Sequence, residues 1–171
     1  MKISIITVCY NSEKYIRTAI DSVLQQTYED IEYIIVDGGS VDATLSLIKP
    51  YQHKISKFIS EPDNGIYDAM NKGINLATGD VIGTLNSDDL YVDEKVLSQV
   101  VEIFQNSKND SLFADLFYVD KKNTNKIIRK WKTKEFIPGS FKKGWHPPHP
   151  TFFVKRDVYN KYGVFDLHYK L

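Results

Sequence analysis

The chain has 171 residues, a hydrophobic fraction of 42% and a charged fraction of 26%, which are ordinary values for a globular protein. That length favours a single domain with a substantial core. The formal net charge is zero, so the overall charge gives no indication of nucleic-acid binding, and we expect no nucleic-acid partner.

Cysteine usage and the start of the chain bear on the compartment. Cys9 is the one cysteine, which excludes a disulfide framework and favours a reducing environment. Met1 and Lys2 precede a short apolar stretch that lacks the pattern of a secretory signal. No apolar run approaches the ~20 residues needed to span a bilayer. We therefore expect a cytoplasmic protein.

The first half of the chain alternates β-branched runs with helical patterns. The runs predict strands at 3–8, 31–36, 57–60 and 81–85. Between and after them, apolar residues at helical spacing predict helices around 16–24, 45–48, 66–77 and 97–104, the first capped by Asn11 or Ser12. This alternation predicts an α/β fold with a mostly parallel central sheet covered by helices on both faces.

The second half has a different pattern and is basic. Strands are predicted at 112–119 and 126–131, followed by a proline-rich rigid loop at 145–150, a strand at 151–154 and a helix at 157–162. Nine Lys or Arg residues lie between positions 121 and 143. This stretch is either a solvated face or a contact with an anionic lipid surface or a phosphorylated acceptor.

Three polar clusters follow predicted strands of the sheet, at 7–11, 37–40 and 86–89. Right-handed crossovers bring the carboxyl ends of parallel strands to one edge, where ligands of open α/β sheets bind. We therefore expect the three clusters to lie together in one binding site.

Two adjacent acids, Asp88 and Asp89, give this edge its strongest chemical signal. Adjacent carboxylates repel each other, so the pair suits a site that holds a cation. Hard oxygen ligands favour Mg²⁺ or Mn²⁺ shared with phosphate oxygens. The alternative is a helix start, with Ser87 or Asp88 as the cap and the acids favoured by the helix dipole.

Other polar side chains have both a binding and a plain structural interpretation. Asp37 could accept a hydrogen bond from a base N–H or a ribose hydroxyl, and Tyr10 could pack on a base or be a surface tyrosine. Asp68 and Asn71 share a polar helix face that spacing alone predicts to be solvated. His149 could ligate a metal, but joint ligation with its neighbour His146 is not expected in a proline-rich loop.

Several short motifs occur in a specific order along the chain. They are Thr7-Val8-Cys9-Tyr10-Asn11, Val36-Asp37-Gly38-Gly39-Ser40-Val41-Asp42, Asn64-Gly65 with Ala69-Met70-Asn71-Lys72-Gly73, and Leu85-Asn86-Ser87-Asp88-Asp89. Together they closely resemble family 2 glycosyltransferases with the GT-A fold. His149-Pro150-Thr151-Phe152-Phe153 and Gly163-Val164-Phe165-Asp166 extend the resemblance over nearly the whole chain.

The resemblance implies an inverting transferase. Its donor would be a nucleoside diphosphate sugar, a divalent metal, Mn²⁺ or Mg²⁺, would hold the diphosphate, and the hydroxyl of a saccharide or lipid-linked acceptor would displace it in polysaccharide or glycolipid synthesis. By position, the nucleotide-sugar contacts fall to Thr7, Tyr10, Asn11, Asp37, Asp68, Asn71, Asn86 and Asp88. Asp88 would be the metal ligand.

The chain departs from the family pattern at Asn86, at Gly39, where an acid is common, and at its end. Asn86 stands where the family's Asp-x-Asp motif usually has its first acid, so we expect a weaker metal site. The family's catalytic base usually follows the Gly-x-Phe-Asp segment, and the sequence stops at Leu171. We therefore expect a donor-binding half at 1–90, a partial acceptor half at 91–171, and no assigned base, although Asp166 is a candidate or simply a turn residue.

Two other function classes compete with active glycosyl transfer. The first is a nucleotide-sugar-binding fragment that lacks the general base and does not turn over. The second is a nucleotidyltransferase, which would require a glycine-rich loop with a basic residue after the first strand, where Tyr10-Asn11-Ser12 stands instead. A dinucleotide oxidoreductase is disfavoured because no G-x-G-x-x-G motif follows that strand.

Overall fold

A computed structural model of the chain describes residues 1–168. A six-stranded sheet forms its centre, with the strand order β3-β2-β1-β4-β8-β5. These strands are β1 (Ile3–Cys9), β2 (Ile31–Asp37), β3 (Lys57–Ser60), β4 (Val81–Thr84), β5 (Ser111–Leu112) and β8 (Phe153–Lys155). β1 to β4 are parallel, whereas β8 pairs antiparallel with both β4 and β5. The mostly parallel sheet confirms the predicted α/β fold.

Helices cover both faces of this sheet. They are α1 (Ile16–Leu24), α2 (Thr44–Ile48), α3 (Ile66–Leu76), α4 (Val96–Asn106) and α5 (Arg156–Tyr162). Apolar residues of α1, α2 and α4 pack in one buried cluster with Ile3 and Ile5 of β1. Those of α3 pack in a second cluster with Ile6 and Val8, because successive strand side chains point to opposite faces.

The register of the parallel strands brings their carboxyl ends to one edge. Cys9 at the end of β1 pairs with Asp37 at the end of β2, and Ile6 pairs with Thr84 at the end of β4. The loops that follow these strands therefore start beside one another. This edge is where the sequence predicts the binding site.

The second half differs from the prediction at two strands. The predicted strand at 112–119 is two strands, because β5 joins the central sheet while β6 (Leu116–Val119) pairs with β7 (Ile127–Trp131) in a separate hairpin. The backbone between β5 and β6 forms a hydrogen bond with a different segment, since Ala114 N–H donates to Thr151 Oγ1 at 3.1 Å. The predicted strand at 151–154 begins two residues later, because a 3₁₀ turn occupies His149–Thr151.

The structure corrects the predicted cap of α1 and confirms the predicted last helix. Neither Asn11 nor Ser12 caps α1 through its side chain, since the helix begins at Ile16 and its N-cap is Tyr15. The predicted helix at 157–162 is confirmed as α5, one residue longer at its start. Within residues 1–168, no helix is both long enough and apolar enough to cross a membrane.

Candidate functional site

Hydrogen bonds between loops confirm that the three polar clusters share one edge. Asn11 N–H donates to Ser40 Oγ at 2.8 Å, and Asn11 Oδ1 accepts from Val41 N–H at 3.0 Å. The Ser12 and Ser87 hydroxyl oxygens are 2.7 Å apart, which joins the β1 loop to the loop after β4. The edge is therefore a connected surface made of backbone turns rather than three separate loops.

Tyr10 and Asn11 lie at the exposed end of this surface. The Tyr10 side chain is 61% exposed and free to pack against a ligand. Asn11 has a φ of 48°, in the left-handed region that asparagine tolerates better than most residues. This conformation turns the chain out of β1 and lets the Asn11 side chain reach the β2 loop.

Asp88 presents its carboxylate to solvent at the same edge. Within the part of the chain that the structure describes, no hydrogen bond and no ion pair within 4.0 Å engages this carboxylate. The next helix, α4, does not start until Val96. The helix-start interpretation of Ser87, Asp88 and Asp89 is therefore wrong.

Asn86 and Asp89 form the inner part of the same turn. Asn86 Nδ2 donates to Asp89 Oδ2 at 3.1 Å, while the buried Asn86 Oδ1 has no hydrogen-bond partner among residues 1–168. Burial, followed by repulsion from Asp88, raises the pKa of Asp89 to about 6. An unpaired carboxylate, an unpartnered amide oxygen and an acid that resists ionisation are together the environment that a hard cation stabilises.

Few side chains in the described structure could act as metal ligands. Among residues 1–168, no group of three or more His, Cys, Asp or Glu side chains is arranged to hold a metal ion. His149, the other candidate ligand, points its Nε2 at Met70 Sδ and Thr84 Oγ1, at 3.3 and 3.4 Å. Burial lowers the His149 pKa, so its imidazole is neutral at pH 7.

Asp37 does not face the ligand edge. Its side chain is fully buried, and its oxygens accept from Gly39 N–H at 3.1 Å, Ser40 N–H at 3.0 Å and Ser60 Oγ at 2.7 Å. The predicted contact of Asp37 with a base or ribose is therefore not what this geometry offers. Asp37 shapes the loop after β2, and its carboxylate also helps burial to raise the pKa of the Cys9 thiol.

Thr7 is likewise inside the protein. Its side chain is fully buried, and its hydroxyl lies 3.0 Å from Tyr33 OH in the core between β1 and β2. The contact of Thr7 with the nucleotide stays a prediction. Its hydroxyl is used inside the protein, because Thr7 lies two residues before the end of its strand.

Asp68 and Asn71 hold neighbouring segments in place. Asp68 Oδ2 accepts from Asn64 N–H at 2.9 Å and lies 3.7 Å from Lys72 Nζ. The Asn71 amide donates to Phe165 O at 2.8 Å and accepts from Phe165 N–H at 2.9 Å. Asp68 thus orders the loop before α3, and Asn71 fixes the Gly-Val-Phe-Asp segment to α3, while their contact with the donor stays a prediction.

Sequence reasoning missed the role of two serines and of an aromatic cluster. The hydroxyls of Ser12 and Ser87 connect two loops, although the motif pattern gave them only capping roles. Tyr67 stacks on Phe165 with ring centroids 5.1 Å apart, and His149 lies 5.7 Å from Phe165. Tyr67 lies more than 80 residues before both other rings in the sequence, so no local pattern records this cluster.

With this geometry described, comparison with known proteins identifies the family. The family model described as "Glycosyl transferase family 2" matches residues 4–163. The chain belongs to glycosyltransferase family 2. An uncharacterized glycosyltransferase of Nostoc sp. is 42% identical over 123 residues, which are 70% of this chain and 38% of that relative.

Solved structures of glycosyltransferases share the fold. The mannosyltransferase PcManGT of Pyrobaculum calidifontis, in complex with GDP-Man and Mn²⁺, has a TM-score of 0.72 at 18% identity and covers 96% of this chain. Staphylococcus aureus TarS, residues 1–349 with UDP-GlcNAc, has a TM-score of 0.68 at 20% identity and covers 94%. The fold is GT-A, and the chain spans 47% of each of these two structures.

Proposed function

We propose that the chain forms the donor-binding part of an inverting glycosyltransferase, with residues 1–90 as the nucleotide-sugar half and 91–171 as part of the acceptor half. The observation that carries this proposal is the unpaired Asp88 carboxylate on the edge where the Ser12 and Ser87 hydroxyls connect two loops. Family membership and the GDP-Man and UDP-GlcNAc complexes of the two structural relatives support the same donor class.

Asp88 and Asn86 are the residues that would hold a divalent metal. Mn²⁺ or Mg²⁺ would offset the negative charge that grows on the leaving diphosphate. The Mn²⁺ found with PcManGT supports a metal in this class of site. Asp88 supplies the charge and Asn86 a neutral oxygen, so we expect a weaker metal site than two carboxylates would form.

The nucleoside end of the donor would lie toward Tyr10. Its ring is exposed beside the loop after β2, so a base can pack on it. Asn11 connects the loop after β1 to the loop after β2 and keeps the edge in one conformation. Among Thr7, Tyr10, Asn11 and Asp37, Tyr10 is the residue whose exposed side chain makes no hydrogen bond within residues 1–168.

Inversion requires a general base that takes the proton of the acceptor hydroxyl. Asp166 is a poor choice, because hydrogen bonds from the His168 backbone and ring lower its pKa and reduce its basicity. We assign no base within residues 1–168. A donor-binding chain without turnover is the alternative, and proton NMR of the anomeric product separates the two functions.

A thermal-shift screen tests donor binding. The chain is heated with UDP, GDP and dTDP sugars, with and without Mn²⁺, since a ligand that binds only the folded state raises its stability. We expect one nucleotide class to raise the midpoint by several degrees with Mn²⁺ and much less with EDTA. A midpoint that no donor moves in either condition would remove the basis for the proposal.

The acceptor side carries a separate proposal, a contact between the 121–143 stretch and an anionic lipid surface or lipid-linked acceptor. Nine basic residues and one acid, Glu135, give this stretch a net charge of +8. Ile128, Ile137 and Phe141 are more than 60% exposed within it. Basic and apolar side chains on one exposed stretch are the pattern that binds anionic membrane surfaces.

Vesicle sedimentation tests this contact. We expect binding to vesicles with anionic lipid, loss of binding in 0.5 M salt, and at least a fivefold loss when Lys130, Lys132 and Lys134 are changed to Gln. Changing the exposed Lys14, Lys49 and Lys54 elsewhere on the protein is the matched control. Equal binding to neutral vesicles would contradict an electrostatic contact.

A further inference from the structure

Asp63 lies over Gly38 at the nucleoside end of the proposed donor site. A methyl group built on Gly38 would collide with Asp63 Oδ2 and lie 3.1 Å from its carboxyl carbon. The Asp63 carboxylate thus fills the space that a side chain at position 38 would take. Gly38 does not adopt a positive φ, so backbone conformation does not require a glycine there.

The loops that carry these two residues are fixed against each other. Glu61 N–H donates to Asp37 O at 3.0 Å, which continues the pairing of β2 and β3. A methyl group on Gly39 would lie 3.3 Å from Pro62 N, so the two backbones are in close contact. The contacts between these two turns therefore hold Asp63 over Gly38.

Within residues 1–168, only one of the two Asp63 carboxylate oxygens accepts a hydrogen bond. Its Oδ1 accepts from Gly65 N–H at 2.8 Å. Over residues 1–168 its Oδ2 accepts no hydrogen bond, and no cationic nitrogen lies within 4.0 Å of it. The nearby Lys72 is engaged with Glu61 and Asp68, at 2.9 and 3.7 Å. One oxygen of a charged acceptor is thus left for water or a ligand.

Tyr10 lies beside Gly38, the residue that the Asp63 carboxylate covers. Cys9 and Asp37 are register partners, so Tyr10 and Gly38 continue side by side beyond the two strands. A flat base packed on the exposed Tyr10 ring would have its edge toward the small residue Gly38 and the Asp63 carboxylate. Asp37 cannot serve there, because its oxygens are buried and occupied.

We propose that Asp63, and not Asp37, is the residue that selects the nucleobase, with Oδ2 accepting the ring N–H of uracil, thymine or guanine. This inference rests on the proposed function. Cytosine has a lone pair at the corresponding ring nitrogen, so a carboxylate repels it. The chain therefore discriminates against cytidine nucleotides through one oxygen atom.

Calorimetric titration of the whole chain with UDP, dTDP, GDP and CDP, in Mn²⁺, tests this assignment. We expect the best of the first three to bind at least tenfold more tightly than CDP. Asp63→Asn keeps an oxygen for Gly65 N–H and offers an amide donor. It should weaken the best nucleotide by tenfold or more and leave CDP equal or tighter.

Two further variants make the result specific. Glu61→Gln removes a charge from the same loop, on the side of Lys72, and should change no affinity by more than twofold. The double variant Gly38→Asp with Asp63→Gly moves the carboxylate to the neighbouring loop in the same space, and should recover at least part of the preference over CDP. The unfolding midpoint without ligand shows that each variant is folded.

The results separate a failure of the proposed function from a failure of the Asp63 assignment. If the wild type binds no nucleoside diphosphate, the proposed function and this inference both fail. If the wild type binds but Asp63→Asn binds every nucleotide as tightly, the inference alone is overturned. It is also overturned if the folded double variant binds UDP, dTDP and GDP no better than CDP.

Discussion

Glu32 organises the opposite edge of the sheet from the proposed donor site. Its side chain is 4% exposed, and its carboxylate accepts from Ser4 Oγ at 2.6 Å and Thr78 N–H at 2.7 Å and pairs with Lys57 at 3.0 Å. Burial alone would raise its pKa, but these hydrogen bonds outweigh burial and lower it to about 2. Glu32 thus stabilises the contact between β1, β2 and the turn before β4.

This pKa gives Glu32 a defined pH signature. Because its folded pKa lies below the ordinary value of 4.5, its stabilisation is present above pH 4.5 and is lost as the pH falls toward 2. The difference corresponds to roughly 3 kcal/mol at neutral pH. We expect Glu32→Gln to lower the free energy of unfolding in urea by about 2–3 kcal/mol at pH 7 and by progressively less below pH 4.5.

The exposed Glu29→Gln is the control for Glu32, and it should leave the unfolding free energy within about 0.5 kcal/mol of the wild type. A loss from Glu32→Gln that stays constant between pH 7 and pH 3 would contradict the ionic role.

Asn86 allows a second prediction at single-residue scale. Asn86→Asp adds an acid beside Asp88 and Asp89, so in EDTA it should destabilise the chain by about 1 kcal/mol, or roughly 2–4 °C. In Mn²⁺ with a nucleoside diphosphate, the extra carboxylate should tighten the apparent Mn²⁺ affinity by about tenfold. Thermal unfolding and calorimetry measure both effects.

Asn75→Asp, at an exposed position of α3, is the matched control for Asn86 and should not change Mn²⁺ binding. If Asn86→Asp binds Mn²⁺ no more tightly than the wild type, Asn86 does not face the metal.

Residue-scale prediction from sequence placed Asp88 at the ligand edge, but it did not show that the side chains of Asp37 and Thr7 are buried. The motif order indicated that Asp88 follows a strand at the ligand edge, and its carboxylate is indeed exposed there. Asp37 and Thr7 occur in the same type of motif, but in the folded protein their side-chain oxygens form hydrogen bonds with neighbouring hydroxyls. Those partners come from β2 and from the end of β3, so no local pattern could reveal that these polar groups are already satisfied.

At the scale of elements, α3 is joined to the last described segment through Asn71. Both polar atoms of its amide pair with the Phe165 backbone. Asn71→Ala leaves that N–H and C=O without partners, so we expect a loss of about 1–3 kcal/mol and faster hydrogen exchange at the Phe165 amide. The exposed Asn75→Ala serves as the control, and unchanged exchange at Phe165 would contradict the role of Asn71.

The parallel elements were predictable, whereas the split of the 112–119 strand was not. β1, β2 and β4 are buried runs of β-branched residues, and their pattern is sufficient to assign them. β5 and β6 are separated only by Phe113, Ala114 and Asp115, and the break is fixed by distant partners: Asp115 Oδ1 accepts from Thr133 N–H at 2.9 Å, and Phe113 packs against Trp145. Alternation predicts an extended chain but not which sheet the chain joins.

At the scale of the whole molecule, charge is distributed unevenly along the chain. The net charge of zero conceals a stretch of +8 at 121–143, so the remaining residues carry −8 in total. The proposed donor edge, with Asp88, Asp89 and Asp63, lies in the acidic part, where a metal-bridged diphosphate would be stabilised by the cation. The fold explains this division, because the parallel half supplies the ligand edge while the basic hairpin lies in its own two-stranded sheet.

We propose that Asp88 anchors a metal-dependent donor site. Calorimetric titration of the chain with its best nucleotide sugar tests it most directly, in Mn²⁺ and in EDTA, for the wild type, Asp88→Asn and the distant control Asp30→Asn. We predict Mn²⁺-dependent binding for the wild type and for Asp30→Asn, and at least a tenfold weaker affinity for Asp88→Asn. Equal affinity of Asp88→Asn and the wild type in Mn²⁺ would show that Asp88 does not hold the metal.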